Sequence, residues 1–205
     1  RQRQMCIRDR HDMAWRPEAF NPNNIFEHTI TFAAQQFGEE HAKEIADIIK
    51  LYSKYARRVT PELLNANTYQ FSYDEWPTVV REWNNLELRA LRVYQKLDPR
   101  WYDAYEELVL FPIQAMQNIY EMYYSVAMNA KAESPTEINY WAQRVEKLYE
   151  RDSLLCAHYN HEIANGKWDH MMDQVHIGYT YWQQPEKQVM PKVKKSDEAC
   201  LLYTS

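Results

Sequence analysis

The sequence predicts an all-α fold, a bundle of about five helices, and three observations predict it. Only 3 glycines occur in 205 residues, too few for the tight turns of a β-sandwich or the phosphate loops of a nucleotide-binding α/β fold. Apolar residues recur at i, i+3, i+4 and i+7 through most of residues 22–166. Pro, Asp, Ser and Gly fall where helices should start or stop. A hydrophobic fraction of 45% suffices for a packed core. A net charge of -5 leaves no basic footprint for nucleic acid. No apolar run approaches the roughly 18 residues a membrane span needs.

Each element follows from local chemistry. A first helix is predicted over 22–37, with Ile25, Thr29, Phe32, Ala33 and Gln36 on one face and Gly38 as its stop. The second, over 39–56, opens with Glu39, Glu40 and Glu44 and closes with Lys54, Arg57 and Arg58, as the helix dipole favours. Its apolar stripe is Ile45, Ile48, Ile49 and Tyr52. Residues 57–72 are the longest break. Thr60-Pro61-Glu62 can start at most one short turn there, so the stretch is either a packed irregular segment or a binding segment. The third helix, 73–97, has Asp74 as cap, Pro77 in its first turn, and Val79, Val80, Trp83, Leu86, Ala90 and Val93 facing inward. The fourth, 99–130, is capped by Asp98. Pro112 should kink it near Leu108 or split it there. The fifth, 134–164, starts with a Ser134 cap, Pro135 and Glu137 in capping-box spacing, and stops at Asn165-Gly166.

After Gly166 the periodicity changes. Ile177, Tyr179 and Tyr181 stand at i, i+2 and i+4, which is strand spacing. Residues 22–166 therefore read as the bundle, and 167–193 as a junction and the start of a following β domain, with 189–193 a linker or first strand. Residues 11–21 are a proline-broken lead-in and 194–205 a tail. Residues 1–10 and 200–205 lack periodicity and caps and resemble translated sequencing-adapter sequence.

Candidate chemistry concentrates in the junction. Trp168, Asp169, His170, Asp173 and His176 form its polar cluster. His170, Asp173 and His176 are spaced i, i+3, i+6, which drifts off one helical face and is not the His-Glu-x-x-His pattern of a zinc protease. No metal is expected from it. Open readings are polar caps bridging two domains, or the edge of a carbohydrate site. Tyr179, Tyr181 and Trp182 could stack on sugar rings or form a domain interface. Arg57 and Arg58 could hold an anionic group such as a sugar carboxylate, or pair locally at the helix end. The Glu-x-x-His pairs of a di-iron bundle are absent, as are the glycine-dependent nucleotide and serine-hydrolase motifs. Cys6, Cys156 and Cys200 have no metal-ligand spacing and suggest no disulfide framework, and Cys156 reads as a small core residue. No cofactor is expected.

The stretch 166–184, Gly-Lys-Trp-Asp-His-Met-Met-Asp-Gln-Val-His-Ile-Gly-Tyr-Thr-Tyr-Trp-Gln-Gln, followed by Val189-Met190-Pro191, resembles the C-terminal part of glycoside hydrolase family 115, the xylan α-1,2-glucuronidases. Residues 33–38 (Ala-Ala-Gln-Gln-Phe-Gly), Tyr52-Ser53-Lys54-Tyr55 with Arg57-Arg58, residues 61–64 (Pro-Glu-Leu-Leu) and 108–112 (Leu-Val-Leu-Phe-Pro) agree with it in order. The resemblance implies a parent enzyme with an α/β domain, a catalytic (β/α)8 barrel, a helical bundle and a C-terminal β-sandwich. It implies inverting removal of 4-O-methylglucuronic acid from glucuronoxylan, a homodimer, and a secreted or periplasmic location. On that reading residues 11–21 lead in from a barrel that carries the catalytic carboxylates at its C-terminal face. No catalytic residue is then expected here. Trp168, His170, Asp173, His176, Arg57 and Arg58 remain the candidates for contact with substrate. The other class of function the sequence allows is a stand-alone helical interaction module, motivated by 16 tyrosines and 7 tryptophans that could form an apolar patch.

Overall fold

A computed structural model of the chain describes residues 11, 14–15, 18, 24–179 and 183–197. Five helical stretches form the bundle, and among the described residues there is no strand. They are α1 (Ile25–Phe37), α2 (Ala42–Ala56), α3 (Glu75–Tyr94), a composite of α4 (Tyr102–Tyr105), a π-helical turn (Glu106–Leu110) and α5 (Phe111–Lys131), and α6 (Pro135–His161). The short connections fold neighbours back on one another: α1 packs on α2, α3 on α2 and α5, and α6 along α5.

The helix starts and stops obey the sequence chemistry with one correction. Gly38 takes φ +81° and ends α1. Asp98 accepts from the Arg100 N–H. Ser134 accepts from the Glu137 N–H at 3.3 Å, capping α6, and its hydroxyl donates to the Glu137 carboxylate at 2.9 Å, a side-chain variant of the predicted capping box. Asp74, predicted to cap α3, does not. It and Tyr73 both adopt left-handed backbone, with φ 55° and 58°. The chain instead folds back through Gln70, whose N–H donates to Glu75 at 2.8 Å and whose carbonyl accepts from the Trp76 N–H at 3.0 Å.

Pro112 disturbs the fourth helix near Leu108 but leaves it continuous from Tyr102 to Lys131. Its missing N–H deprives the Leu108 carbonyl of its helical partner. The helix answers by widening into the π turn just upstream, where the Phe111 N–H reaches back five residues to the Glu106 carbonyl.

The aromatic excess is spent inside. Trp76, Trp83, Tyr105 and Tyr120 are completely buried. The Trp83 ring lies 5.3 Å from Tyr120, 5.6 Å from Tyr55 and 6.0 Å from Tyr52, mostly edge-on or tilted. The 57–72 break is the packed kind of segment. Leu64 is buried, Asn65 makes an Asx turn to the Asn67 N–H at 2.9 Å, and Tyr69 packs on Trp76 and Tyr120.

Residues 188–196 run extended along α5 and α6 without forming a strand. Two asparagine amides stand in for a neighbouring strand. Asn129 accepts the Lys194 N–H at 2.7 Å and donates to the Lys194 carbonyl at 3.0 Å. Asn139 accepts from the Ser196 N–H at 3.0 Å and donates to the Ser196 carbonyl at 2.6 Å. The alternation of 194 and 196 is the two-residue period of extended chain.

Candidate functional site

The C-terminal end of α6 carries two of its core-facing polar residues into the junction. Ala142, Val145, Leu148 and Asp152 continue one buried stripe, and Tyr159 with Asn160 extends it. Beyond His161 the chain turns sharply. Ala164 and Asn165 adopt φ of 52° and 56°, and Gly166 follows at φ +76° with the His161 carbonyl 3.2 Å from where a Cβ would sit. These turns bring residues 167–177 back across the helix end.

The predicted cluster divides there into an outer and an inner half. His170 is exposed, and its Nδ1 lies 2.6 Å from Asp173. Asp173 accepts from the buried Asn160 amide at 2.7 Å, and Asn160 accepts from the Met172 N–H at 2.9 Å. The hydrogen bond that His170 donates to Asp173, then the charge of Asp169, raises the His170 pKa above its ordinary value. Trp168 lies flat in a small apolar cluster with Phe111, Tyr159 and Ile163, and the Lys167 ammonium sits 4.6 Å over its ring. The residue is half-buried, and its indole N–H is buried without a hydrogen-bond partner.

His176 turns inward. Its Nε2 lies 3.0 and 2.9 Å from the two oxygens of Asp152, whose side chain is only 5% exposed. The Gln188 amide clamps it: Oε1 accepts from the N–H groups of His176 and Ile177 at 3.1 and 2.7 Å, and Nε2 donates to His176 Nδ1 at 2.9 Å. Burial lowers the His176 pKa, but the Asp152 hydrogen bond and charge outweigh it and the net shift is upward. Cys156, one turn beyond Asp152 on α6, completes the one group of metal-capable side chains found among the described residues. The expected strand through Ile177 and Tyr179 is corrected. Ile177 is buried, but its neighbours are bends, and Gly178 sits at φ +93° with Val189 packed against it. Tyr181 and Trp182 lie outside the described residues.

Arg57 and Arg58 stand at the far end of α2. Arg57 is exposed. Arg58 pairs with Glu82 at 2.5 Å and covers the Tyr55 ring at 4.5 Å, at the edge of an open groove of about 700 Å³ lined also by Tyr69, Gln70, Ser72 and Tyr73. Part of its charge is thus met by the protein's own carboxylate. A third polar group surrounds the π turn. Tyr94 donates to Glu106, Glu106 lies 2.7 Å from His158, and His158 lies 2.9 Å from Glu162. Burial, then the Glu106 hydrogen bond, pushes the Tyr94 hydroxyl up.

Sequence reasoning missed Asp152, Asn160, Gln188 and Asn129. A signal existed for the helical ones: each falls on the apolar stripe of its helix, and a carboxylate or amide at a stripe position must be paired once buried. Gln188 had none, because its partners are backbone groups eleven and twelve residues away.

This is an all-α unit whose polar clusters sit at helix ends, without the strand-end carboxylates of a catalytic barrel among the described residues. The family model for Glycosyl hydrolase family 115 matches residues 1–63 and supports membership of that family. The matched range takes in α1, α2 and the Arg57–Arg58 turn, while the resembling stretch at 166–184 lies beyond it. No curated protein matches the chain.

Proposed function

We propose that this chain is the helical accessory and dimerisation part of a xylan α-1,2-glucuronidase and is inactive alone. The observation that carries the reading is the match of residues 1–63 to a glycoside hydrolase family model. The all-α fold agrees with the bundle the resemblance implies. In such an enzyme the paired carboxylates of hydrolysis flank the bond at the open face of a barrel. The clusters described above instead join elements of the bundle: Asp152 and Asn160 of α6 to His176 and Asp173 in the segment after it, and Glu106 of the π turn to His158 of α6. Glucuronoxylan is the expected substrate of the whole enzyme. His170 and Asp173, both exposed, are the junction residues best placed to meet a sugar from outside.

The test is the coding sequence upstream. The reading predicts an α/β domain followed by eight βα units ahead of residue 24. An unrelated upstream sequence would overturn it.

A stand-alone interaction module is the second reading. Among the described residues most of its motivating aromatics are buried or half-buried, but Tyr73 and Tyr140 remain exposed, as do Leu88 and Leu154. Sedimentation that finds a dimer at micromolar concentration agrees with both readings; a monomer at high concentration removes the dimerisation role from each.

A further inference from the structure

We propose that Asp152, Cys156 and His176 form a zinc-binding site that ties α6 to the segment after it. One carboxylate oxygen, one thiol sulfur and one imidazole nitrogen all lie within 4.8 Å of one another. Zinc bonds of about 2.0–2.3 Å set tetrahedral ligands roughly 3.3–3.6 Å apart, so the three side chains need to move by only a fraction of the gap. Asp152 and Cys156 are four residues apart on α6, which puts them on one helical face. His176 arrives from the opposite side, on a segment held by Gln188 and by the Tyr149 hydroxyl, which donates to the Gln188 carbonyl at 3.0 Å. The ligands are therefore held by two elements that are already fixed.

The charge balance favours a dication. Zinc displaces the Cys156 thiol proton to solvent, while the His176 proton leaves Nε2 and is replaced by one on Nδ1, so the imidazole stays neutral. Carboxylate, thiolate and neutral imidazole then sum to minus two, and the ion makes the site neutral. That removes the cost of holding the Asp152 charge with its side chain only 5% exposed. A sulfur, nitrogen and oxygen donor set suits zinc rather than calcium or magnesium. Three protein ligands leave a fourth position, on the solvent side of the 26%-exposed His176, for water.

The surroundings supply the outer support such a ligand uses. The Gln174 carbonyl lies 3.0 Å from His176 Nδ1. With zinc on Nε2, the proton sits on Nδ1 and donates to that carbonyl. Without zinc, Gln188 Nε2 donates to Nδ1 and Nε2–H donates to Asp152. Binding thus switches the His176 tautomer, while Gln188 keeps its two backbone donors.

The test uses the full chain stripped with a chelator, with zinc alone as the probe and a chromophoric zinc indicator as competitor. The expected result is one ion per chain, with affinity at least tenfold weaker in Cys156→Ser. Cobalt(II) in place of zinc should give a thiolate-to-metal charge-transfer band in the near ultraviolet, present in the unaltered chain and absent from Cys156→Ser. Nitrogen-15 spectra should show the His176 proton pass from Nε2 to Nδ1 on zinc addition. Zinc affinity unchanged in Cys156→Ser overturns the site. So does a charge-transfer band that survives the substitution, because the sulfur would then be Cys6 or Cys200. His176→Gln should also abolish tight binding; if that variant loosens the bundle, the near-isosteric Cys156→Ser and the cobalt spectrum decide. The site stands or falls apart from the glucuronidase reading, since none of these readouts involves a glycoside.

Discussion

At Asn129 a side-chain amide takes the place of a neighbouring strand. Its bonds to Ile138 and to both backbone groups of Lys194 fasten the extended tail to the α5–α6 pair. Asn129→Ala leaves those groups without partners and is expected to cost about 1–3 kcal/mol, with hydrogen exchange at Lys194 accelerating most. Gly178 is the other residue on which the tail depends. An added methyl would meet Val189 Cβ at 2.6 Å on backbone at φ +93°. Gly178→Ala should therefore destabilise by roughly 1–3 kcal/mol, read as a lower denaturant midpoint. His170 offers a pH test. Its hydrogen bond to Asp173 favours the imidazolium, so its folded pKa is raised. The stabilisation is complete below the ordinary histidine range and is lost as pH rises through the raised value. Proton NMR should place the His170 titration above that of a free histidine, and Asp173→Asn should bring it down. An unchanged titration in that variant would contradict the pairing.

The helices were legible because their cause is local. Periodic apolar residues, the Ser134 box and the Asp98 cap act within a few residues of where they stand. What was not legible depends on contacts distant in sequence or on backbone detail. Pro112 announced a disturbance, but only the packing of α5 against α3 and α6 decides that a π turn absorbs it. Asp74 looked like a cap until the chain returned through Gln70 and forced it left-handed. The junction cluster was legible as a polar region and illegible as geometry. Spacing put His170, Asp173 and His176 in one group, whereas the turn at 164–166 sends His176 to Asp152, 24 residues away. Trp83 tests the core at this scale. It is fully buried and shared by α2, α3 and α5 through Tyr52, Tyr55 and Tyr120. Trp83→Ala should cost about 3–5 kcal/mol, seen as loss of near-ultraviolet dichroism and a lower melting temperature.

Across the whole molecule, the bundle devotes its buried side chains to packing its own segments together. Its large side chains close one extended core, two smaller apolar clusters seat the junction and the tail, and its buried polar groups are spent on joining segments. A site for glycoside hydrolysis would instead need two carboxylates facing a common cleft at about 5–10 Å. The open groove beside Arg58 offers Glu75 and Glu82, but Glu82 is paired with Arg58 and Glu75 with the Gln70 N–H. On the proposed reading, the chemistry of the whole enzyme lies outside this chain. This is checked by assaying release of glucuronic acid from glucuronoxylan by the purified, folded chain, beside an intact xylan α-1,2-glucuronidase as positive control. No release above the buffer blank is expected at any concentration of the chain. Release that scales with the amount of chain, and that survives removal of trace contaminants, would contradict it.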